Sequence, residues 1–573
     1  MKRTIVSLIA ALVLAAGLQA VNTPDWLRTA VFYQLYPSSY MDTDGDGIGD
    51  IPGIISKLDY IQSLGVNVVW LNPTFESAWE DGGYDVIDFY KTDPRFGTND
   101  DMVRLIGEIH KRGMHICLDL VAGHSSDKNP WFLESASGTN MHYSDYYIWA
   151  DDPNGGNGQA LSEGAAMFGR GRWVESDYPR ARFYQRNAGP FQPALNYGFA
   201  NPDPNHPWEQ SVDAPGPQAM RRELRNIMQF WFEKGVDGFR VDMAASLVKN
   251  DPGSRETIKL WQEVRAWMDA EWPECVLVSE WGNPPTAIEA GYNMDFMFHF
   301  GVPGYASLFF APDTPFYTYG GRRNSYQACY FDKSGQGAIK DFVQNYKATI
   351  DAVKGRGYVS VPSSNHDYQR PNIGTRNTLD QLKVSMTFFL TLPGVPIIYY
   401  GDEIGMKFDP TLPDKEGSGN RSGARTPMQW TNGFNAGYST CAPEKLYLPE
   451  DTDGGLLTVE TQEADPKSLL NLTRAILRLR AEHPALGNDA EWELVSPVDQ
   501  PYPMVYKRTD GKETFLVALN PGAKAVKTAF PTLGAKSVEL MVGEKAQSGY
   551  KSGKKTDQIS MKGITSAIFK LDL

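Results

Sequence analysis

Four short strings in this sequence end an apolar run on groups that could do acid, base or nucleophile chemistry. The most informative is Gly235-Val-Asp-Gly-Phe-Arg-Val-Asp-Met243, which reads as a buried β-strand with Val236, Phe239 and Val241 as its apolar positions. Side chains two apart on a strand leave the same face, so Arg240 and Asp242 emerge together. A guanidinium beside a carboxylate keeps it ionised, the state a carboxylate needs to attack a carbon. Arg-x-Asp alone is also a common structural ion pair. Three further strings strengthen the chemical reading: Asp119-Leu-Val-Ala-Gly-His124, Ser279-Glu280-Trp281 and Asn365-His366-Asp367.

Such ends meet only if a fold lays the strands side by side and in parallel. From Ala30 onward, short apolar runs alternate with longer amphipathic stretches. Runs at 31–36, 66–71, 114–121, 236–241, 276–279, 295–300, 357–361 and 395–400 read as strands. Helical stretches at 54–64, 102–112, 220–234 and 257–271 separate them. Strand and helix alternating eight times predict an α/β fold, a (β/α)8 TIM barrel, with function at the carboxyl ends of its strands. All four strings fall there. The barrel is expected over 21–124 and 201–487. An irregular subdomain, rich in Gly, Pro, Asn, Tyr and Trp and too long for a loop, is inserted over 125–200. A second irregular stretch over 402–466 follows strand eight, and a helix over 468–482 closes the barrel. From 488 to 573 short alternating strands predict a carboxyl-terminal antiparallel β-sandwich domain.

The bulk properties narrow the partners. A formal net charge of −14 argues against nucleic acid or an anionic membrane surface. An aromatic share of 12% leaves rings available to stack on sugars. Residues 1–20, with Lys2 and Arg3, an apolar run over 5–17 and Ala20, read as a secretory signal peptide. The expected location is the periplasm or the extracellular space, with no membrane span after cleavage. Of four cysteines, Cys117 and Cys275 lie in strand-like runs and read as buried thiols. A Cys329–Cys441 bridge is left open, as is the oligomeric state.

On these motifs the chain resembles the α-amylase family of retaining glycoside hydrolases, glycoside hydrolase family 13, over nearly its whole length after residue 20. The four strings match the family's four conserved stretches in order. Gly83-Tyr84-Asp85 with Asp93-Pro-Arg-Phe-Gly-Thr98, and Gly394-Val-Pro-Ile-Ile-Tyr-Tyr-Gly401, match two more. The resemblance implies that Asp242 is the nucleophile, Glu280 the general acid and then base, and Asp367 a third acid on the sugar hydroxyls. It further implies that His124 and His366 donate to that sugar, that Arg240 orients Asp242 and that Tyr84 offers a stacking face. Glu280 is expected to hold a proton at working pH, as a general acid must. Gly123 departs from the family, which usually carries an asparagine there that often ligates a structural calcium, so no calcium is expected at that place.

A cation is expected elsewhere. Asp42-Thr-Asp44-Gly-Asp46-Gly-Ile48-Gly-Asp50 spaces carboxylates at alternate positions around glycines, which suits Ca²⁺ with the Ile48 carbonyl as a further ligand. It resembles the first half of an EF-hand loop, although the twelfth position is Gly53, and the oligosaccharide-cleaving branch of the family carries a similar loop.

Three features resemble the oligo-α-glucosidase branch. Asp81-Gly-Gly-Tyr84 and Arg421-Ser-Gly-Ala-Arg425-Thr-Pro-Met-Gln-Trp430 match strings that close a dead-end pocket, with Asp81 and Arg425 as the expected closing pair. Gln192-Pro-Ala-Leu-Asn196 adds a further match to oligo-1,6-glucosidases, with Ala194 in place of an aspartate. After the nucleophile stands Met243-Ala-Ala-Ser246, without the Lys-His common in endo-acting amylases. The resemblance implies an exo-acting α-glucosidase on maltooligosaccharides or other short α-glucans, α-1,4 favoured. The alternatives are an endo-acting amylase or neopullulanase-like enzyme, a transglycosylase or trehalose synthase-like isomerase, and a non-catalytic sugar-binding or transporter-accessory relative.

Overall fold

The computed structural model describes residues 22–139, 142–153, 173–296, 301–310, 328–451 and 457–573, and the expected signal peptide lies outside them. Eight parallel strands close a barrel in sequential order: β1 (Phe32–Leu35), β2 (Val68–Leu71), β3 (His115–Val121), β4 (Gly238–Asp242), β5 (Val276–Ser279), β6 (Met294–Asp295), β7 (Tyr358–Pro362) and β8 (Val395–Tyr399). The sixth strand was expected over 295–300; it starts a residue earlier, and 297–300 fall outside the described residues.

Strand alternation divides the barrel interior into floors. Phe32, Val68, Trp70, Cys117, Val276, Val278, Met294, Phe296, Tyr358, Val395 and Ile397 form one enclosed apolar cluster. The strands approach so closely there that a Cβ on Gly238 would lie 2.6 Å from the Val276 carbonyl oxygen. Two residues further along, inward positions turn polar: Gln34 on β1, Asn72 past β2, Asp119 on β3, Arg240 and Asp242 on β4 and Glu280 past β5. The apolar floor below them is the platform on which these groups stand.

The outer helices are cut by ordinary local rules. Asn99–Lys111 opens with a capping box between Thr98 and Asp101. Leu379–Thr391 does the same with Thr378 and Gln381. The helix expected over 54–64 is instead two, Ile51–Ser56 and Leu58–Leu64, because Lys57 leaves helical geometry at φ −110°.

The insertion after β3 is less irregular than expected. It holds a helix, Pro130–Ala136, and an antiparallel sheet of Trp149–Ala150, Phe183–Gln185 and Trp173–Glu175. Phe132 ties helix to sheet by stacking on Trp149. The carboxyl-terminal domain has a five-stranded sheet, in order Glu491–Leu494, Met504–Thr509, Thr514–Asn520, Thr565–Asp572 and Ser537–Val542, and a second of Val526–Pro531, Thr556–Met561 and Ser548–Lys551. Val505, Leu516, Phe530, Ile559, Phe569 and Leu571 belong to the core between them. Among the described residues, no helix is long and apolar enough to cross a membrane. All four cysteines are buried free thiols, Cys329 lying 3.8 Å from an Arg376 nitrogen and Cys441 donating to the Ala442 carbonyl.

Candidate active site

Arg240 is the hub of the polar floor. Its Nη1 lies 2.8 Å from Asp119 Oδ1 and 3.1 Å from Asp242 Oδ1, and its Nη2 lies 2.7 Å from Glu280 Oε2. The same-face placement expected for Arg240 and Asp242 is thus what the strand produces. Glu280 is held a second time, by the Met243 backbone N–H at 2.9 Å. Three carboxylates around one guanidinium leave excess negative charge. Two unit charges ~4 Å apart repel by ~4 kcal/mol at an effective dielectric of about 20, and one cation cannot offset every pair. Burial, and then the Glu280 carboxylate, accordingly push the Asp242 carboxyl well above the usual range, with Arg240 opposing. The burial of Asp242 that raises it cannot be read from the motif.

On the opposite wall, Tyr84 stacks on His366 with ring centroids 5.4 Å apart. Its hydroxyl donates to Asp119 Oδ2 at 2.9 Å and lies 2.7 Å from His366 Nε2. The amide nitrogens of Gln34 and Asn72 face His366 Nδ1 at 2.9 and 3.1 Å. His366 Nε2 sits 3.2 Å from Asp367 Oδ2. Burial alone would raise Asp367, but His366, Arg421 and Arg425 outweigh it and hold this carboxyl well below the usual range. Burial pushes His366 itself down, so the two guanidiniums are the charges that persist at neutral pH.

The ion pairing differs from the expected Asp81–Arg425 closure. Arg421 is the residue that spans it, with Nη2 2.7 Å from Asp81 Oδ1 and Nη1 2.9 Å from Asp367 Oδ1. Gln192 donates to the other Asp81 oxygen at 3.0 Å. Arg425 lies fully buried behind this bridge, with Nη2 3.1 Å from Asp367 Oδ1, Nε donating to the His366 carbonyl and Nη1 to Ser418 Oγ. His124 is also enclosed. Its Nε2 faces the Tyr84 carbonyl at 3.0 Å, and burial pushes its pKa down to about 4, so the ring is neutral.

Of the expected site residues, Asp242, Glu280, Asp367, Tyr84, Arg240, His366, Arg425 and Asp81 join one network of hydrogen bonds and ion pairs, with His124 against the Tyr84 carbonyl. Sequence reasoning missed Gln34, Asn72, Gln192 and Arg421. Strand parity was the available signal for the first two. No pattern distinguishes Arg421 from Arg425, four residues apart in an irregular segment.

The acidic loop after β1 is a separate centre. Carboxylate oxygens of Asp42, Asp44 and Asp50 lie within 4.8 Å of one another. Asp42 is buried, accepting from the Gly45 and Gly47 N–H groups and the Ser439 hydroxyl. Asp46, expected as a ligand, turns to accept the Ile48 N–H at 2.7 Å and stays outside the cluster.

The similarities agree with this geometry. The family model for the α-amylase catalytic domain matches residues 34–489. The chain is 34% identical over 521 residues to the trehalose synthase/amylase TreS of Mycobacterium tuberculosis, covering 84% of this chain and 79% of that protein. It is 31% identical over 567 residues to the oligo-1,6-glucosidase of Parageobacillus thermoglucosidasius, covering 90% and 94%. Among solved structures, trehalulose synthase MutB of Pseudomonas mesoacidophila superposes with a TM-score of 0.76 at 26% identity, over 96% of this chain and all of that one. An eight-stranded barrel carrying three carboxylates around one arginine, in a chain matched from residue 34 to residue 489, belongs to the α-amylase family of glycoside hydrolases and glycosyl-transferring enzymes.

Proposed function

We propose that this enzyme removes single glucosyl units from the non-reducing ends of short α-glucans by double displacement. Asp242 attacks the anomeric carbon while Glu280 gives its proton to the leaving oxygen, and Glu280 then takes a proton from the incoming water. Asp367, kept ionised by its guanidiniums, accepts hydroxyls of the reacting sugar. One observation supports the exo-acting reading: Arg421 ties Asp81 to Asp367 in an ionic bridge beside the third carboxylate, where it would close the far side of a terminal sugar. The intact carboxylate trio argues against a non-catalytic relative.

A second reading, transfer of the glucosyl unit to another sugar, draws support from the likeness to the trehalose synthase and the trehalulose synthase. It uses the same trio and differs in whether water reaches the glucosyl-enzyme. The deciding measurement is the time course of products from maltoheptaose and from maltose. Glucose released first, with the chain shortening one unit at a time, is the expected result. Trehalose formed from maltose would replace hydrolysis by transfer, and mixed maltose and maltotriose at the outset would mean an open, endo-acting cleft.

The Asp42, Asp44 and Asp50 cluster supports a structural Ca²⁺. Its carboxylates converge, two of them are buried, and among the described residues no lysine or arginine pairs with them. Asp42, Asp44 and Asp50 would hold the ion, with Asp46 and the Ile48 carbonyl joining if the loop turns toward it. An ion bound only by the folded chain adds ~3–4 kcal/mol at 100 to 1,000 times its dissociation constant. Exhaustive chelation is therefore expected to lower the melting temperature by several degrees, and calcium to restore it. An unchanged melting curve would remove the ion from this reading. The basic start and apolar run of residues 1–20 support export to the periplasm or beyond.

A further inference from the structure

Among the described residues, Lys249 is the one buried lysine, and this chemistry does not use it. It lies seven residues after Asp242 and is 4% exposed. Its Nζ donates to Asn187 Oδ1 at 2.8 Å and to the Ser246 carbonyl at 2.6 Å. No ion pair between it and a carboxylate exists among the described residues, and burial pushes the amine down to about 7. Both contacts are to carbonyl oxygens, so Lys249 acts as a donor whatever its protonation.

The amine dictates which way the Asn187 amide points. Because Nζ takes the Asn187 oxygen, the Asn187 amide nitrogen must face the other way. There it donates to Ser246 Oγ at 3.0 Å and to His124 Nδ1 at 3.3 Å. An acceptor role at Nδ1 leaves the proton of neutral His124 on Nε2, where it donates to the Tyr84 carbonyl. The Ser246 contacts fix the second end of the turn that begins at Met243, a left-handed residue with φ 43° whose N–H holds Glu280. Gly123 makes the arrangement possible: a Cβ there would lie 2.5 Å from the Asn187 amide nitrogen.

We propose that Lys249 is a positioning residue for the catalytic centre, setting the Asn187 amide and, through it, the tautomer of His124 and the turn that presents the Met243 N–H to Glu280. The inference rests on the hydrolytic reading for its activity test and is independent of it for its structural test. Two variants separate positioning from packing. Lys249→Met keeps the volume and removes the donor. Asn187→Asp gives the ammonium a counter-ion but turns the His124 Nδ1 partner from a donor into an acceptor.

With a chromogenic aryl α-glucoside, both variants are expected to lower kcat at least tenfold with KM changed less than threefold. Selective ¹⁵N labelling of the eight histidines, with His124→Gln to assign the signal, is expected to show Nε2–H alone in the wild type and both nitrogens protonated in Asn187→Asp, because the Tyr84 carbonyl still accepts from Nε2 while the new carboxylate accepts from Nδ1. A packing role predicts the reverse for Asn187→Asp, namely unchanged turnover with equal or greater thermal stability. That result, or an unshifted His124 signal in Asn187→Asp, would overturn the proposal. If Lys249→Met fails to fold, Asn187→Asp decides alone. Absence of glucoside cleavage in the wild type would strike the functional reading and leave the tautomer to decide this one.

Discussion

Asp242→Ala is expected to lose ~four or more orders of magnitude in kcat while folding as well as the parent, since removal of a covalent nucleophile leaves only binding and electrostatics. The melting temperature should be unchanged or higher at alkaline pH. The Asp242 carboxyl is raised in the folded state by burial and by Glu280, so the folded chain holds that proton more tightly than the unfolded chain. Stability is therefore lost as pH rises past the unfolded value, and removing the carboxyl removes that loss. Below the unfolded value the variant gains nothing.

Glu280→Gln separates the roles within the pair. It should lose a similar factor on maltose, whose leaving oxygen needs a proton, and far less on an aryl glucoside whose leaving group departs unaided. Asp242→Ala should fail on both. Near-normal turnover of maltose by either variant would refute the assignment, and equal losses on the two substrates would place the acid elsewhere.

Why so much of this site was legible comes down to the period of a strand. Arg240 and Asp242 could be put on one face because side chains alternate, and the apolar runs beneath Asp119, Glu280 and His366 marked their strands as inward. Parity extended to β1 and past β2 would also have yielded Gln34 and Asn72. It gave no help beyond the strands. Arg421 and Arg425 sit in an irregular loop with no repeating geometry, and their order in sequence does not say which reaches Asp81. Asn187, Gln192 and Lys249 come together through an insertion whose path no local rule dictates. Carboxylate spacing marks the acidic loop, yet Asp46 turns to its own Ile48 N–H, a choice of hydrogen bond that spacing does not encode. The raised carboxyl of Asp242 is illegible for a related reason: burial and repulsion from Glu280 are properties of the assembled site.

The two arginines give the second large effect. Arg421→Ala removes two ionic hydrogen bonds, to Asp81 and to Asp367, each in the range of ~1.5–3 kcal/mol and discounted for partial exposure. The expected loss in kcat/KM is ~100-fold. Asp367 keeps Arg425 and His366 but loses one cation that held its carboxyl low, so its pKa rises. The carboxylate then protonates at a higher pH than in the wild type, and the acid limb of the pH–rate profile moves upward. With the bridge gone, the pocket end opens, and maltose and maltotriose should appear among the early products from maltoheptaose. Arg425→Ala should behave differently. Its guanidinium is fully buried, and its loss strands Ser418 Oγ and the His366 carbonyl and leaves Asp367 with one cation fewer. Breaking a buried pair in this way costs about 3–5 kcal/mol, read as a fall in melting temperature rather than a change in products. If Arg421→Ala instead kept the parent product pattern and Arg425→Ala, still folded, lost it, the closing role would return to Arg425.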